Sequence, residues 1–167
     1  MNKQIRQYLG IVSAILTYYL IHEGAHLLYA LWTNTFKQIH FKGLGVQIEV
    51  YIDTMTQYQL GIFCILGSMA TLITAYVLVL LTDQICRSSS KVYKSCMYYI
   101  TIAMLFIDPV YLSILCNMFG GGDMNGISLL FPQSIARLMY GGILCFHVYV
   151  FRRSILPKYS HSFKYNN

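Results

Sequence analysis

The sequence predicts an all-α polytopic membrane protein, with about four transmembrane helices and a small β-hairpin at the membrane surface after the first. Three observations predict it. Of the 167 residues, 56% are hydrophobic and only 11% are charged, whereas a soluble domain carries about 25% charged residues. Four apolar segments, about residues 8–32, 58–81, 97–119 and 127–151, are each long enough to cross the hydrocarbon core of a bilayer. The extended polar interval 33–57 alternates with period two instead of carrying a helical stripe. Residues 1–167 read as a single membrane-embedded domain without internal repeats.

The first segment is too long for a signal peptide and lacks a small-x-small cleavage site. Its C-terminal half, YLIHEGAHLLYALW, places His22, Glu23 and His26 among apolar residues. A charged side chain at bilayer depth costs about 2.5–3.5 kcal/mol on insertion scales, so three ionisable groups there call for a purpose. His22-Glu23-Gly24-Ala25-His26 fits H-E-x-x-H. Residues i and i+4 of a helix share one face, and two imidazoles so placed can hold one Zn²⁺. Glu23, beside the first histidine, can serve as the general base that takes a proton from water. Gly24 and Ala25 leave room beside the metal. The plainer alternative is a pair of satisfied core histidines, and lipid weakens it.

A hairpin is expected over 36–53. Ile39-His40-Phe41-Lys42 and Val46 to Asp53 alternate in polarity, and Gly43-Leu44-Gly45 separates the two runs. A basic loop with Ser88-Ser89-Ser90 spans 82–96. The third apolar segment contains Asp108-Pro109, where proline removes a backbone donor. It runs into Gly120-Gly121-Gly122-Asp123, which lets the chain turn sharply. Irregular backbone at membrane depth requires surrounding protein or a water-filled cavity. The polar tail 157–167 is expected to fray.

A catalytic zinc needs a third protein ligand and an open position. Asp108 and Asp123 are the candidates. They stand about 22 Å apart on a continuous helix, so both can approach one ion only if the chain folds back. Gly120–Gly122 permit that. His40 is assigned to the hairpin surface, His147 to a core or interface, and His161 to the tail. The five cysteines, Cys64, Cys86, Cys96, Cys116 and Cys145, show no C-x-x-C spacing and read as small buried residues.

Net charge is +6. Nine basic residues (Lys3, Arg6, Arg87, Lys91, Lys94, Arg152, Arg153, Lys158, Lys164) fall on one side of the expected topology. Three (Lys37, Lys42, Arg137) fall on the other. The positive-inside rule then places both termini in the cytoplasm. The first and third segments run in the same direction, so His22–His26, the hairpin and Asp123 approach one face of the membrane.

These residues resemble the site-2 protease family of intramembrane zinc metalloproteases. The resemblance rests on HEGAH in the first helix, the hairpin sequence FKQIHFKGLGVQIEV, the stretch LGSMATLITAY and the turn GGGDMNG. Thr71 stands near the place where many members carry Asn. The resemblance implies that His22, His26 and Asp123 hold zinc and that Glu23 activates water; with Asp123 as the ligand, Asp108 is expected to support a ligand or water from inside the third helix. The resemblance also implies that Val46, Ile48 and Val50 meet substrate as an added strand. No regulatory domain is evident, so a minimal catalytic core is expected. The implied activity is hydrolysis of a peptide bond in a membrane-spanning or membrane-associated peptide, at the cell membrane of a bacterium. The alternative is a non-catalytic metal- or helix-binding membrane subunit. No nucleic-acid partner is expected, and the oligomeric state is left open.

Overall fold

A computed structural model describes residues 2–42, 45–118 and 120–165. Four helical stretches are long and apolar enough to cross a membrane: Lys3–Trp32, Gln57–Leu80, Lys91–Met118 and Gln133–Lys164. A two-stranded antiparallel sheet follows the first.

Helix α1 (Lys3–Trp32) starts earlier than the apolar segment because Asn2 caps it, its side chain accepting the Gln4 N–H at 3.3 Å. It ends where the Thr33 hydroxyl donates back to the Tyr29 carbonyl and Asn34 takes a left-handed conformation, φ 56°. Strands β1 (Phe36–Lys42) and β2 (Gly45–Val50) pair with Ile39 opposite Ile48 and Phe41 opposite Val46. The expected strand to Asp53 is shorter, since Ile52–Thr54 forms a 3₁₀ turn. Gly43 and Leu44 of the expected turn lie outside the described residues. β2 rests on α1 and sends Ile48 into the core.

Helix α2 (Gln57–Leu80) begins in a capping box. Thr56 accepts the Gln59 N–H, and the Gln59 side chain accepts the Thr56 N–H at 2.9 Å. A short helix α3 (Thr82–Arg87) leads to α4 (Lys91–Val110), which Ser90 caps and which starts six residues before the expected apolar segment. Past Pro109 the helix widens into a π-helical turn, Tyr111–Leu115, and then tightens to 3₁₀ over Cys116–Met118. Proline supplies no N–H to the ladder, which accounts for the change of winding. The expected end at Phe119 falls outside the described residues.

The fourth helix departs most from the expectation. The apolar run that opens at Ile127 is not its start. Asp123–Ile127 forms a short helix α5, and 128–131 form turns. Helix α6 (Gln133–Val150) begins only after Pro132. Nor does the tail fray. After a π-helical turn at Phe151–Ile155 the chain continues as α7 (Leu156–Tyr165), folded against α3 and α4. Tyr159 is buried there. Buried Lys94 donates to the carbonyl and hydroxyl oxygens of Ser162 at 3.0 and 2.9 Å. Residues 166–167 are outside the described residues.

The helices pack up and down. Ser95 meets Arg6, and Asp108 meets Tyr18 and His22, so α1 and α4 run parallel. Phe63 meets His26 and Thr71 meets Asp108, so α2 is antiparallel to both. The buried core divides in two. One cluster, including Phe63, Leu112, Met124 and Tyr140, lies at the hairpin end. The other, including Leu78, Met104, Ile155 and Tyr159, lies beneath α3 and α7. Cys64, Cys86 and Cys116 are buried as expected, whereas Cys96 is half-buried and Cys145 is exposed.

Candidate metal centre

His22 and His26 stand one turn apart on the inner face of α1, 7% and 3% exposed. Their Nε2 atoms are 3.3 Å from each other. Asp123, the first residue of α5, brings Oδ2 to 3.1 Å from His22 Nε2 and 3.5 Å from His26 Nε2. The chain reaches this point by folding back after α4. Gly120, Gly121 and Gly122 take φ of 78°, 86° and 44°, and all three conformations disfavour a Cβ. The Asn125 amide donates to the Gly120 carbonyl at 3.1 Å and braces the turn.

Each imidazole is oriented from behind. His26 Nδ1 lies 2.8 Å from the Phe63 carbonyl, which can only accept, so Nδ1 carries the proton and in the neutral ring Nε2 presents a lone pair. His22 Nδ1 lies 3.3 Å from the Asp108 carboxylate, with the same consequence. Asp108 is 1% exposed. It accepts the Tyr18 hydroxyl at 2.5 Å and also the Thr71 hydroxyl. Tyr18 stacks on His22 as well, ring centroids 5.2 Å apart. Asp108 therefore braces His22 and does not belong to the converging group.

With both rings neutral, the two Nε2 lone pairs and the Asp123 oxygen face one another across 3.1–3.5 Å, and a cation at their centre would satisfy all three. Ligand atoms about 2.0–2.1 Å from a tetrahedral ion stand about 3.3–3.4 Å apart, so the observed separations suit Zn²⁺. The backbone of α2 closes the back of the group. A Cβ built on Gly67 would come within 2.5 Å of His26 Nε2 and 2.7 Å of His22 Nε2.

Glu23 turns toward the hairpin and lines the same cleft as His26 and Asp123. Its Oε2 accepts the Ile48 N–H of β2 at 3.1 Å. A cleft of about 1090 Å³ opens there, lined by Glu23, His26, Asp123 and the β2 residues Val46, Ile48 and Val50. A second cavity of about 540 Å³ reaches the same group between α1 and α4, past Tyr18, Phe106 and Ile107. On the cleft's rim, the Gln38 amide donates to Glu49, and Lys37 and His40 stand beside it. Together they hold the Glu49 carboxyl below the ordinary carboxylate range.

The remaining histidines lie elsewhere. His40 pairs with Glu49 at 3.0 Å on the hairpin, and His161 is on α7. His147 is buried with both ring nitrogens engaged, by the Leu105 carbonyl at 2.6 Å and the Tyr76 hydroxyl at 2.9 Å. Sequence reasoning missed Tyr18, Gly67 and the Phe63 carbonyl. Tyr18 carried a signal, four residues before His22 and so on the same face. The other two depend on how α2 lies against α1. No family model matches the chain, and no curated protein or solved structure matches it either.

Proposed function

We propose that this chain is an intramembrane zinc endopeptidase, acting on a peptide bond of a membrane-spanning or membrane-associated peptide. One observation carries the reading: three potential metal-ligand atoms, from His22, His26 and Asp123, converge beside a cleft that also holds Glu23 and the outer edge of β2. When bound, Zn²⁺ supplies Lewis acidity to water and to the carbonyl to be attacked. Glu23 takes a proton from that water as its oxygen bonds to the carbonyl carbon, and returns the proton to the amide nitrogen as the C–N bond breaks. Val46, Ile48 and Val50 border the place of attack, where main-chain pairing can hold a substrate extended.

The membrane setting draws support from the outward faces of the long helices. Leu16, Leu20 and Leu28 on α1 are 66%, 72% and 71% exposed, as are other large apolar residues on α2 and α6. Charge placement favours cytoplasmic termini, with the hairpin on the opposite face. A bacterial cell membrane is the setting the motif resemblance favours.

The test is elemental analysis of the purified full chain, followed by cleavage of a reporter peptide fused to a membrane helix, in vesicles with and without chelator. About one zinc per chain and chelator-sensitive cleavage are expected. Zinc without cleavage would favour the non-catalytic subunit, which shares the three ligands but has no use for Glu23. A chain that retains no zinc would refute the peptidase and the metal-binding subunit, and leave a helix-binding one.

A further inference from the structure

Glu23 is not oriented by its own helix. Oε2 is held by a main-chain group from a different element, and Oε1 has no hydrogen bond among the described residues. The alternation of an antiparallel ladder shows which edge of β2 is involved. Ile48 lies opposite Ile39, and its N–H meets Glu23, so it points away from β1. Val46 and Val50 share its parity and turn their main-chain groups the same way. Tyr51, of the other parity, donates back to the Thr35 carbonyl at 2.9 Å. The outer edge of β2 therefore faces the cleft, with its central donor already taken by Glu23.

We propose that the main-chain N–H of Ile48 is the positioning group for Glu23, so that β2, the strand against which a peptide would lie, also sets the direction of the base. This rests on the peptidase reading and deepens it. Three features support it. Ile48 is buried, which fixes the strand against α1 at this one point. An N–H can only donate, so it fixes one carboxylate oxygen of Glu23 as its acceptor and with it the direction of the carboxyl plane. With Oε2 occupied, Oε1 is the oxygen free to face water. A one-residue slip of the hairpin would turn the Ile48 side chain out of the core and bring a different residue's main chain to Glu23, so hairpin register and the Ile48–Glu23 contact are coupled.

The test uses the full-length chain in nanodiscs, labelled with ¹⁵N-isoleucine and ¹⁵N-valine, and measures amide hydrogen exchange. Ile48 should exchange at least about tenfold more slowly than Val46 and Val50. Glu23→Ala should raise the Ile48 rate to theirs, and Glu23→Gln, which still offers an oxygen acceptor, should restore the protection. Equal Ile48 rates in the parent and in Glu23→Ala would overturn the proposal. In a second arm, Ile48→Pro deletes this N–H at a position that gives β1 nothing. It should keep its zinc while turnover of the fused reporter falls about 10–100-fold. Parental turnover in Ile48→Pro would also overturn it. Exchange requires no substrate. If no form of the chain cleaves the reporter, the peptidase reading fails, and the exchange rates still decide whether Ile48 holds Glu23.

Discussion

Asp108 and Asp123 address opposite nitrogens of one imidazole. Asp108 lies 3.3 Å from Nδ1 of His22, and Asp123 lies 3.1 Å from Nε2. The two carboxylates are therefore not interchangeable. One holds a proton on the ring and is itself held by Tyr18 and Thr71, and the other joins the ring's lone pair. Asp123→Ala is expected to lose zinc as fully as His26→Ala. Asp108→Ala should weaken zinc binding about 10–100-fold, as loss of an outer partner does. Competitive chelator titration of the three variants decides it. Full zinc in Asp123→Ala with none in Asp108→Ala would reverse the roles.

Glu23 lines the cleft but does not belong to the converging group. Glu23→Gln should therefore bind zinc at parental stoichiometry, while reporter turnover falls about 10²–10⁴-fold. Chelator should remove activity from the parent, and added Zn²⁺ should restore it. A Glu23→Gln chain that cleaves at the parental rate would exclude this residue as the base.

The motif on α1 was legible because H-E-x-x-H fixes spacing along a single helix, and helical geometry then places both rings on one face. Asp123 was harder to read. Its distance from Asp108 in sequence suggested separation, and only the left-handed turn at Gly120–Gly122 converts that into proximity. The fourth helix was misplaced for a related reason. Ile127 to Phe131 is as apolar as a span, but the run is used in a turn packed beside α2, and Pro132 defers the helix to Gln133. The tail looked polar and frayed because its anchors are single residues. Lys94 and Ser162 meet across 68 positions, and nothing local announces that pairing.

Orientation gives an independent prediction. Near the N-terminus, α3 and α7 gather at one end of the bundle, and the hairpin lies with the metal group toward the other. With the native cysteines removed, Gln47→Cys on the hairpin should react with an impermeant maleimide added outside the cell. Ser160→Cys on α7 should react only after permeabilisation. The reverse pattern would place the hairpin in the cytoplasm and set aside the charge argument.

Gly67 yields the sharpest steric test. It lies on α2 where that helix crosses behind the two histidines, and its missing side chain is the space their Nε2 atoms occupy. A methyl group there would come within 2.5–2.8 Å of both rings. The rings cannot retreat easily, since His26 is tied to the Phe63 carbonyl on the same helix and His22 to Asp108. In an ordinary helix Gly→Ala stabilises by about 1 kcal/mol. Here the gain in helix propensity opposes the loss of ligand geometry, and the two are separable. Gly67→Ala should keep its helical circular dichroism while losing zinc at least about tenfold more readily to chelator, the range expected when ligands are displaced. Gly24→Ala is the control. It sits inside H-E-x-x-H with nothing within 4 Å of its Cβ position, and should bind zinc as the parent does. Parental zinc affinity in Gly67→Ala would show that the rings tolerate displacement and that α2 does not define the back wall of the site.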